Sequence, residues 1–149
     1  IDKLKLVIQR VKRSNLKING VDFSSIGYGM VILIGISKDD NSSKLKKVVS
    51  KLSKLRIFND YNGKMNKNIN DINGEILVVS QFTLYADLKK GNRPSFINAA
   101  EPIKASKIYH NFIEELQTVI NTKVMTGKFG ADMKVELIND GPVTLILEN

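Results

Sequence analysis

The stretch MVILIGI at residues 30–36 decides the fold. It is a continuous apolar run of strand length, and such runs are typical of strands that are covered on both faces of a sheet. A second run, EILVVSQFTL at residues 75–84, predicts another strong strand with polar residues at its end. Because two segments with helical spacing of apolar side chains accompany these strands, the sequence predicts a sheet-rich α/β fold with two helices.

Turn signals and periodicity place the other elements around these two strands. Residues 4–11 are predicted to form the first strand, and Asn19-Gly20 has the residues that a tight hairpin turn prefers. One helix is expected over residues 45–55, and a second near Glu101-Pro102, since proline suits the first helical turn. The predicted buried stripe of the second helix is Ile103, Ile108, Tyr109, Phe112, Ile113, Leu116 and Ile120. Further strands are predicted at residues 15–18, 21–26, 56–58, 123–126, 133–138 and 143–147.

Composition excludes several classes of function. A chain of 149 residues suggests one domain, 1–149. Cysteine is absent, which excludes disulfides, thiolate zinc sites and cysteine nucleophiles. The single histidine, His110, excludes multi-histidine metal centres and lies off the predicted stripe, so a surface position is favoured over a catalytic one. No apolar run approaches the ~18 residues of a membrane span, and no signal-peptide pattern opens the chain, so we expect a cytoplasmic protein without membrane contact.

The charge of the chain is positive and unevenly distributed. The formal net charge is +8, and residues 1–75 carry all of the excess, with 15 Lys and Arg against 7 Asp and Glu. A one-sided basic surface favours polyanions such as nucleic acids, although the abundance of Lys, Asn and Ile is also explained by compositional bias. The polar face of the first helix is favoured as a solvated face over a dedicated phosphate-binding surface; it holds Lys44, Lys46, Lys47, Lys51 and Lys54.

Two segments have unusual chemistry for their positions. Residues 80–83, Ser-Gln-Phe-Thr, end an apolar strand in hydrogen-bonding side chains, which must be paired by the fold or exposed to a ligand. Residues 139–144, Asn-Asp-Gly-Pro-Val-Thr, contain a glycine that permits unusual backbone angles and a proline that can follow a cis bond. Each segment has a structural alternative, and for the second it is a tight turn between two strands.

The combination of these segments with other blocks resembles the D-aminoacyl-tRNA deacylase family over nearly the whole chain. Leu4 stands where the family has its initiator methionine, so residues 1–3 are predicted to be an extension. The blocks that carry the resemblance are LVIQRV at 6–11, LRIF at 55–58, GKMN at 63–66, VVSQFTLYAD at 78–87, KG at 90–91, RPSF at 93–96, Gly127 with FGADM at 129–133, and NDGPVT at 139–144.

The resemblance implies a fold and a set of site residues. The implied fold is α/β, with layered, barrel-like, mainly antiparallel or mixed sheets and two main helices on one side. The implied assembly is a homodimer with active sites at the subunit interface, where Gly141 and Pro142, joined by a cis bond, reach into the partner's pocket. Neither a cofactor nor a metal ion is expected. The implied catalytic residues are Ser80, Gln81, Phe82 and Thr83, and those implied to hold the adenine are Phe129, Gly130 and Met133.

The implied reaction is hydrolysis of D-aminoacyl-tRNA to free D-amino acid and tRNA, with mischarged glycyl-tRNA as a further substrate. An aminoacyl ester is already activated, so positioning, a water molecule and stabilisation of the oxyanion suffice. The 2′-hydroxyl of the terminal ribose is expected to assist, in preference to a mechanism in which Thr83 is the nucleophile, because no histidine is evidently available as its base. The alternative function is a non-catalytic module that binds DNA or tRNA.

Overall fold

The computed structural model describes residues 4–149, so the predicted extension at residues 1–3 lies outside the described residues. Eight strands, two α-helices and two 3-10 helices are present in the described part. In chain order they are β1 (Lys5–Ile18), β2 (Val21–Ile26), β3 (Gly29–Gly35), a 3-10 helix (Ser42–Lys44), α1 (Leu45–Lys54), β4 (Phe58–Asn59), β5 (Met65–Lys67), β6 (Glu75–Ser80), a second 3-10 helix (Phe82–Tyr85), α2 (Pro102–Val119), β7 (Val124–Thr126) and β8 (Lys134–Glu148).

β1 organises the large sheet because both of its edges are paired. On one edge its first half pairs with β3 and its second half with β2, and on the other edge β8 follows it for almost its whole length, all antiparallel. β3 continues the sheet through parallel pairing with β6, which pairs in turn with β7. The Ser24 hydroxyl donates to the Thr126 carbonyl and connects β2 with β7. The sheet therefore curls into the nearly closed, mixed barrel that was expected.

The two faces of this sheet carry separate apolar cores, because side chains alternate along a strand. On β3, Met30, Ile32 and Ile34 face the helices, whereas Val31 and Leu33 face the inside of the barrel. β6 alternates in the same way. The prediction that residues 30–36 form a strand covered on both faces is thus confirmed.

Both α-helices pack on the outer face of the sheet. Their buried side chains are Leu45, Val48, Val49 and Leu52 on α1, and Ala105, Ile108, Tyr109, Phe112, Ile113 and Leu116 on α2. The prediction for Ile103 is wrong, since that side chain is 80% exposed. It lies six residues before Tyr109, which corresponds to roughly 240° around an α-helix and turns it away from the sheet. His110 is exposed, as predicted.

Several predicted bounds are also wrong. β1 extends to Ile18. Its first half pairs with β3, and its second half remains in the sheet because it pairs with β2 instead. The segments predicted as two strands at residues 133–138 and 143–147 form one strand, β8. Residues 139–144 are therefore an irregularity within a strand and not a turn. The predicted short strand at residues 56–58 is shifted to β4, which pairs with the unpredicted β5.

No helix in residues 4–149 has the length and apolar character needed to cross a membrane.

The buried hydroxyl of Tyr109 gives a prediction for alkaline stability. It donates to the Val78 carbonyl at 2.9 Å, and burial raises the pKa of Tyr109 to about 12. The unfolded chain then releases its proton first, so this contribution to stability is complete below about pH 10 and is lost as the pH rises through about 12. Between pH 9 and pH 11 the wild type should lose about 1 kcal/mol more unfolding free energy than Tyr109→Phe in denaturant titrations. Equal losses would contradict the assignment to Tyr109.

Candidate functional site

A cavity of about 670 Å³ opens where β6 ends. Six of the residues predicted for the site line it: Ser80, Gln81, Phe82, Phe129, Gly130 and Met133. The cavity also includes Ile36 and the beginning of α2, and its remaining lining residues are Val79, Phe96, Ala99, Ala100, Glu101, Pro102, Ala105, Ala131, Asp132 and Val135. Two segments more than forty residues apart in the sequence are thus brought to one place.

The cavity exists because the chain leaves β6 abruptly. The strand ends at Ser80, and the chain turns at Gln81 into the 3-10 helix Phe82–Tyr85, so the predicted strand is four residues too long. The Gln81 N–H donates to the Ile34 carbonyl at 2.8 Å and holds this turn against β3. Gly35 permits the close packing, since a Cβ there would lie 2.9 Å from the Leu84 Cβ.

Thr83 lies beside the cavity and is not one of its lining residues. Its side chain is exposed, and its Oγ1 accepts a hydrogen bond from Gln81 Nε2 at 2.5 Å. The first N–H groups of a helix have no acceptor within it, so the amides of Phe82 and Thr83 are available to a bound group. The Phe82 ring meets the Phe96 ring edge to face, with 4.9 Å between centroids. The edge of the site thus combines free amides with an aromatic pair.

The opposite side of the cavity is formed by the turn after β7. Phe129 packs on the buried Tyr109 ring, with 5.8 Å between centroids. A Cβ at Gly127 would lie 2.5 Å from the Met133 sulfur, so a side chain there would require Met133 to move. An aromatic ring and a thioether therefore stand on this side of the cavity, and such apolar surfaces suit a planar ring such as a purine.

Gly141 and Pro142 do not line the cavity of their own chain. The peptide bond between them is cis, as expected, and both residues are exposed. In the β1–β8 ladder Gln9 pairs with Thr144 and Val11 with Asn139, so residues 140–143 of β8 lie opposite Arg10 alone. The Gly-Pro segment is therefore a bulge that projects from an otherwise continuous strand.

Arg10 holds this bulge from below. Its side chain is almost fully buried and pairs with the Asp140 carboxylate at 3.3 Å. Its Nε donates to the Asp140 carbonyl at 3.0 Å, and its Nη1 donates to the Ile57 carbonyl at 2.7 Å and to Asn59 Oδ1 at 3.3 Å. One guanidinium thus ties the bulge to the segment that follows α1. Neither the hydrophobic pattern nor the spacing of motifs in the sequence pointed to Arg10. It appeared only within the LVIQRV block at residues 6–11 that contributes to the family resemblance.

The carboxylate of Asp140 also affects Tyr28, which lies in the turn between β2 and β3. Burial and, after it, the negative charge of Asp140 raise the pKa of the Tyr28 hydroxyl, whereas Arg10 acts against this shift. The Lys12 ammonium lies 3.9 Å from Asp140 and 5.6 Å from the centre of the Tyr28 ring. The base of the bulge is therefore a network of charges and an aromatic ring and not a loose loop.

Sequence reasoning missed other parts of the cavity. Phe96 appeared only within the block at residues 93–96, Ala99 and Ala100 were assigned to no element, and Glu101 was noted only at the beginning of the second helix. Their order in the sequence gives no signal of this, because strand pairing and helix packing bring them to β6. Within residues 4–149 no group of three or more His, Cys, Asp or Glu side chains is placed to hold a metal ion.

Comparison with known proteins gives consistent results in sequence and structure. The model of the family described as D-Tyr-tRNA(Tyr) deacylase matches residues 7–148. A D-aminoacyl-tRNA deacylase from Thermosipho africanus (strain TCF52B) is 49% identical over 146 residues, which cover 98% of this chain and 97% of that protein.

Two solved structures have similar folds. The structure described as "c-Myc DNA Unwinding Element Binding Protein" has a TM-score of 0.91 and 42% identity, and the match covers 97% of this chain and 98% of that one. A probable eukaryotic D-amino acid tRNA deacylase has a TM-score of 0.85 at 17% identity, over 99% of this chain and 100% of that one. At that identity the second match shows a shared fold alone.

Proposed function

The chain belongs to the D-Tyr-tRNA(Tyr) deacylase family, and we propose on that premise that it hydrolyses the ester between a D-amino acid and the 3′-terminal adenosine of tRNA. The observation that carries this proposal is the single cavity that joins the Ser-Gln-Phe segment at the end of β6 to the Phe129–Met133 turn. Its volume of about 670 Å³ lies within the range of roughly 300–1,000 Å³ that small-molecule sites occupy.

In this proposal the two sides of the cavity divide the substrate between them. Phe129, Gly130 and Met133 hold the adenine, and the residues after β6 hold the aminoacyl ester. The amides of Phe82 and Thr83 point to the developing oxyanion, where donors that are already in place stabilise the transition state without reorganisation. Water adds to the carbonyl carbon, the bond to the ribose oxygen breaks, and that oxygen leaves with a proton.

The substrate itself supplies the hydroxyl that assists the water. This assignment is supported by the surroundings of Thr83, whose hydroxyl is hydrogen-bonded to an amide, a group that cannot act as a base. A D-tyrosyl ester carried on a terminal 2′-deoxyadenosine should therefore be hydrolysed much more slowly than the ribose ester. Equal rates would remove the 2′-hydroxyl from the mechanism.

Handedness is selected across a homodimer interface. The Gly141-Pro142 bulge is exposed and lies outside its own cavity, and Arg10 fixes it from within the fold. Placed in the partner's cavity, the main-chain carbonyls of the bulge block the direction that an L side chain takes from Cα. Glycine has no side chain to block, so mischarged glycyl-tRNA is also expected to be hydrolysed. Exposed apolar side chains in the loop after the second 3-10 helix, Leu88 and Ile97, suit a surface that an assembly covers.

A paired assay tests the proposed function. D-tyrosyl-tRNA and L-tyrosyl-tRNA, prepared on the same tRNA, are incubated with the protein, and release of tyrosine is followed. We expect the D ester to be hydrolysed about 100-fold faster or more, because steric exclusion at Cα discriminates by a clash. Equal rates, or no hydrolysis of the D ester, would overturn the proposal.

Thr83→Ala separates the two mechanisms. If the ribose hydroxyl assists the water, we expect kcat within about tenfold of the wild type, since only a hydrogen bond to Gln81 is removed. If Thr83 were the nucleophile, kcat would fall by about 1,000-fold or more, and an acyl-enzyme burst would disappear. Single-turnover measurements on D-tyrosyl-tRNA distinguish these results.

Nucleic-acid binding without catalysis is the second candidate function. It is favoured by the net charge of +8 and by the 42% identity to the protein described as a DNA unwinding element binding protein. It predicts salt-sensitive affinity for duplex DNA that persists in Thr83→Ala and Gly141→Ala, together with no hydrolysis of D-tyrosyl-tRNA. Hydrolysis of the D ester by the wild type decides against it.

A further inference from the structure

A groove of about 590 Å³ lies between α1 and the end of β8, and we call it the α1 groove. Its apolar part includes the buried Val48 and the half-buried Leu147. Its cationic side chains, all exposed, are Lys47, Lys51, Lys54 and Arg56. At one end of the groove the Asn149 Nδ2 is buried and has no acceptor among residues 4–149. A concave, cationic surface results.

The four cations of the α1 groove are not neutralised within the described residues. No carboxylate of residues 4–149 lies within 4.0 Å of Lys47, Lys51, Lys54 or Arg56, whereas Arg10, Arg13 and Lys123 each have an acidic partner. The groove therefore presents a concentrated positive charge to its surroundings. An anionic partner can interact with these cations directly, because no ion pair within the described residues has to be broken first.

Helix stability explains the position of only some of these lysines. A cation is favourable near the C-terminal end of a helix, where Lys51 and Lys54 are found, and unfavourable near the N-terminal end. Lys46 and Lys47 occupy the first turn of α1, which contains no acidic residue. The helix dipole therefore accounts for Lys51 and Lys54 but not for Lys47, which extends the positive charge of the groove towards the N-terminal end of α1.

The strand pairing places the α1 groove beside the candidate active-site cavity. Leu147 of the groove pairs with Leu6, which pairs with Ile34, which pairs with Ser80 of the cavity. These four residues stand in one row across four adjacent strands. Three strand spacings of about 4.8 Å separate the ends of the row by about 14 Å. Only a few nucleotides of an extended strand are needed to bridge that distance.

We propose that the α1 groove binds the phosphate backbone of the tRNA whose 3′ end occupies the cavity of the same subunit. This rests on the proposed function, since it takes tRNA as the substrate. A positively charged groove tracks a nucleic-acid backbone, whereas a membrane presents a flat array of headgroups that does not enter a concave surface. A second copy of the chain is not the occupant, because the groove would bring like charges together.

The test removes charge from the groove and, separately, from elsewhere on the surface. The groove variant is Lys47→Gln/Lys51→Gln/Lys54→Gln. The control is Lys17→Gln/Lys64→Gln/Lys107→Gln, three exposed lysines that lie outside the groove and the cavity and have no acidic partner among residues 4–149. Glutamine is close to lysine in helix propensity, so α1 should stay folded. Affinity for uncharged tRNA is measured by fluorescence anisotropy at several salt concentrations, and hydrolysis is measured with D-tyrosyl-tRNA and with D-tyrosyl-adenosine.

We expect the groove variant to bind tRNA about tenfold more weakly or worse, with the salt slope reduced by about 0.7–0.9 for each phosphate that the lysines no longer neutralise. KM for D-tyrosyl-tRNA should rise in parallel, while hydrolysis of D-tyrosyl-adenosine stays at the wild-type rate. Equal tRNA affinity in the groove and control variants would overturn the inference.

Two further comparisons distinguish failure of the proposed reaction from failure of the proposed binding surface, and RNA from a membrane as the partner. If the wild type fails to hydrolyse D-tyrosyl-adenosine and D-tyrosyl-tRNA while the groove variant alone loses tRNA affinity, the proposed reaction fails and the binding surface stands. Vesicles that contain phosphatidylserine test the membrane alternative. If the groove variant loses vesicle binding and keeps its tRNA affinity, the partner is an anionic membrane and the RNA assignment is overturned.

Discussion

Gly141→Ala is expected to lower kcat/KM for D-tyrosyl-tRNA by about 100-fold or more, because displacement of a positioning group by about 1 Å costs this much. Gly141 has φ +124°, where an L side chain is strained, and a Cβ there would lie 3.0 Å from Arg10 Nη2 and 3.0 Å from Val143 Cγ2. We therefore expect the bulge to shift, and with it the carbonyls that we propose to face the substrate. Steady-state kinetics with the D and L esters measures the loss.

Gly20→Ala is the matched control for this change. Gly20 also has a positive φ, +75°, but a Cβ there meets nothing within 4 Å. It tests the effect of a positive φ, which costs about 1–2 kcal/mol in the left-handed helical region, at a hairpin far along β1 from the bulge. We expect Gly20→Ala to retain nearly full activity. If both variants lose activity equally, strain alone accounts for the effect and the role of the bulge is refuted.

In the homodimer that we propose, mixed dimers of two variants test in which subunit the bulge acts. Gly141→Ala subunits have an intact cavity, and Phe129→Ala subunits have an intact bulge. If the bulge reaches into the partner, each mixed dimer contains one fully intact site, so the mixture should exceed the average of the two pure variants. Activity equal to that average would mean that the bulge does not act across subunits.

Arg10→Ala should give the largest loss of stability, with an unfolding free energy reduced by about 2–4 kcal/mol. It leaves the Ile57 and Asp140 carbonyls without their buried donor and removes the closest partner of the Asp140 carboxylate. The expected loss is smaller than for a fully buried pair, since Asp140 is 22% exposed and Lys12 remains nearby. Activity should fall at least tenfold in the still-folded protein, because the bulge loses its support.

Arg13→Ala provides the comparison for Arg10 on the same strand. Arg13 pairs with Glu136 at 3.2 Å, but both side chains are mostly exposed. Such surface pairs contribute about 0–1 kcal/mol, so urea denaturation should barely distinguish Arg13→Ala from the wild type. Arg10→Lys should lie between the two alanine variants, as one ammonium cannot reach every acceptor of the guanidinium. An Arg10→Ala protein as stable as Arg13→Ala would contradict the assigned support.

The fold was predictable where local pattern and burial agree. The apolar run at residues 30–36 could only be a strand between two cores, and the amphipathic spacing of α1 and α2 placed both helices on the sheet. Prediction failed where pairing decides the outcome. Nothing local shows that β1 changes partners after residue 11, or that β8 continues through Gly141-Pro142. Ile103 was misplaced because it is apolar and near the stripe, yet it lies on the outer side of the helix.

The candidate site was predictable only in part, for the same reason. The polar residues at the end of β6 could be recognised because they interrupt an apolar run. The family resemblance linked them to Phe129 and Met133, which line the same cavity. Phe96 and Glu101 reach that cavity through the path of a loop that carries no periodic signal. Arg10 could not be singled out, because nothing in the sequence around it is unusual for a strand. Its role depends on residues 140–143, which form the bulge opposite it and begin 130 positions later in the chain.

The pairing of β1 with β8 makes the order of synthesis matter. The strand that completes the free edge of β1 carries Asp140, the partner of Arg10, and is made about 130 residues later than β1. Contacts between such distant segments form late and slow the search for the native state. A nascent chain that has not yet released β8 therefore exposes an open sheet edge and lacks the bulge, so the support that Arg10 gives to the bulge forms only after β8 has been made.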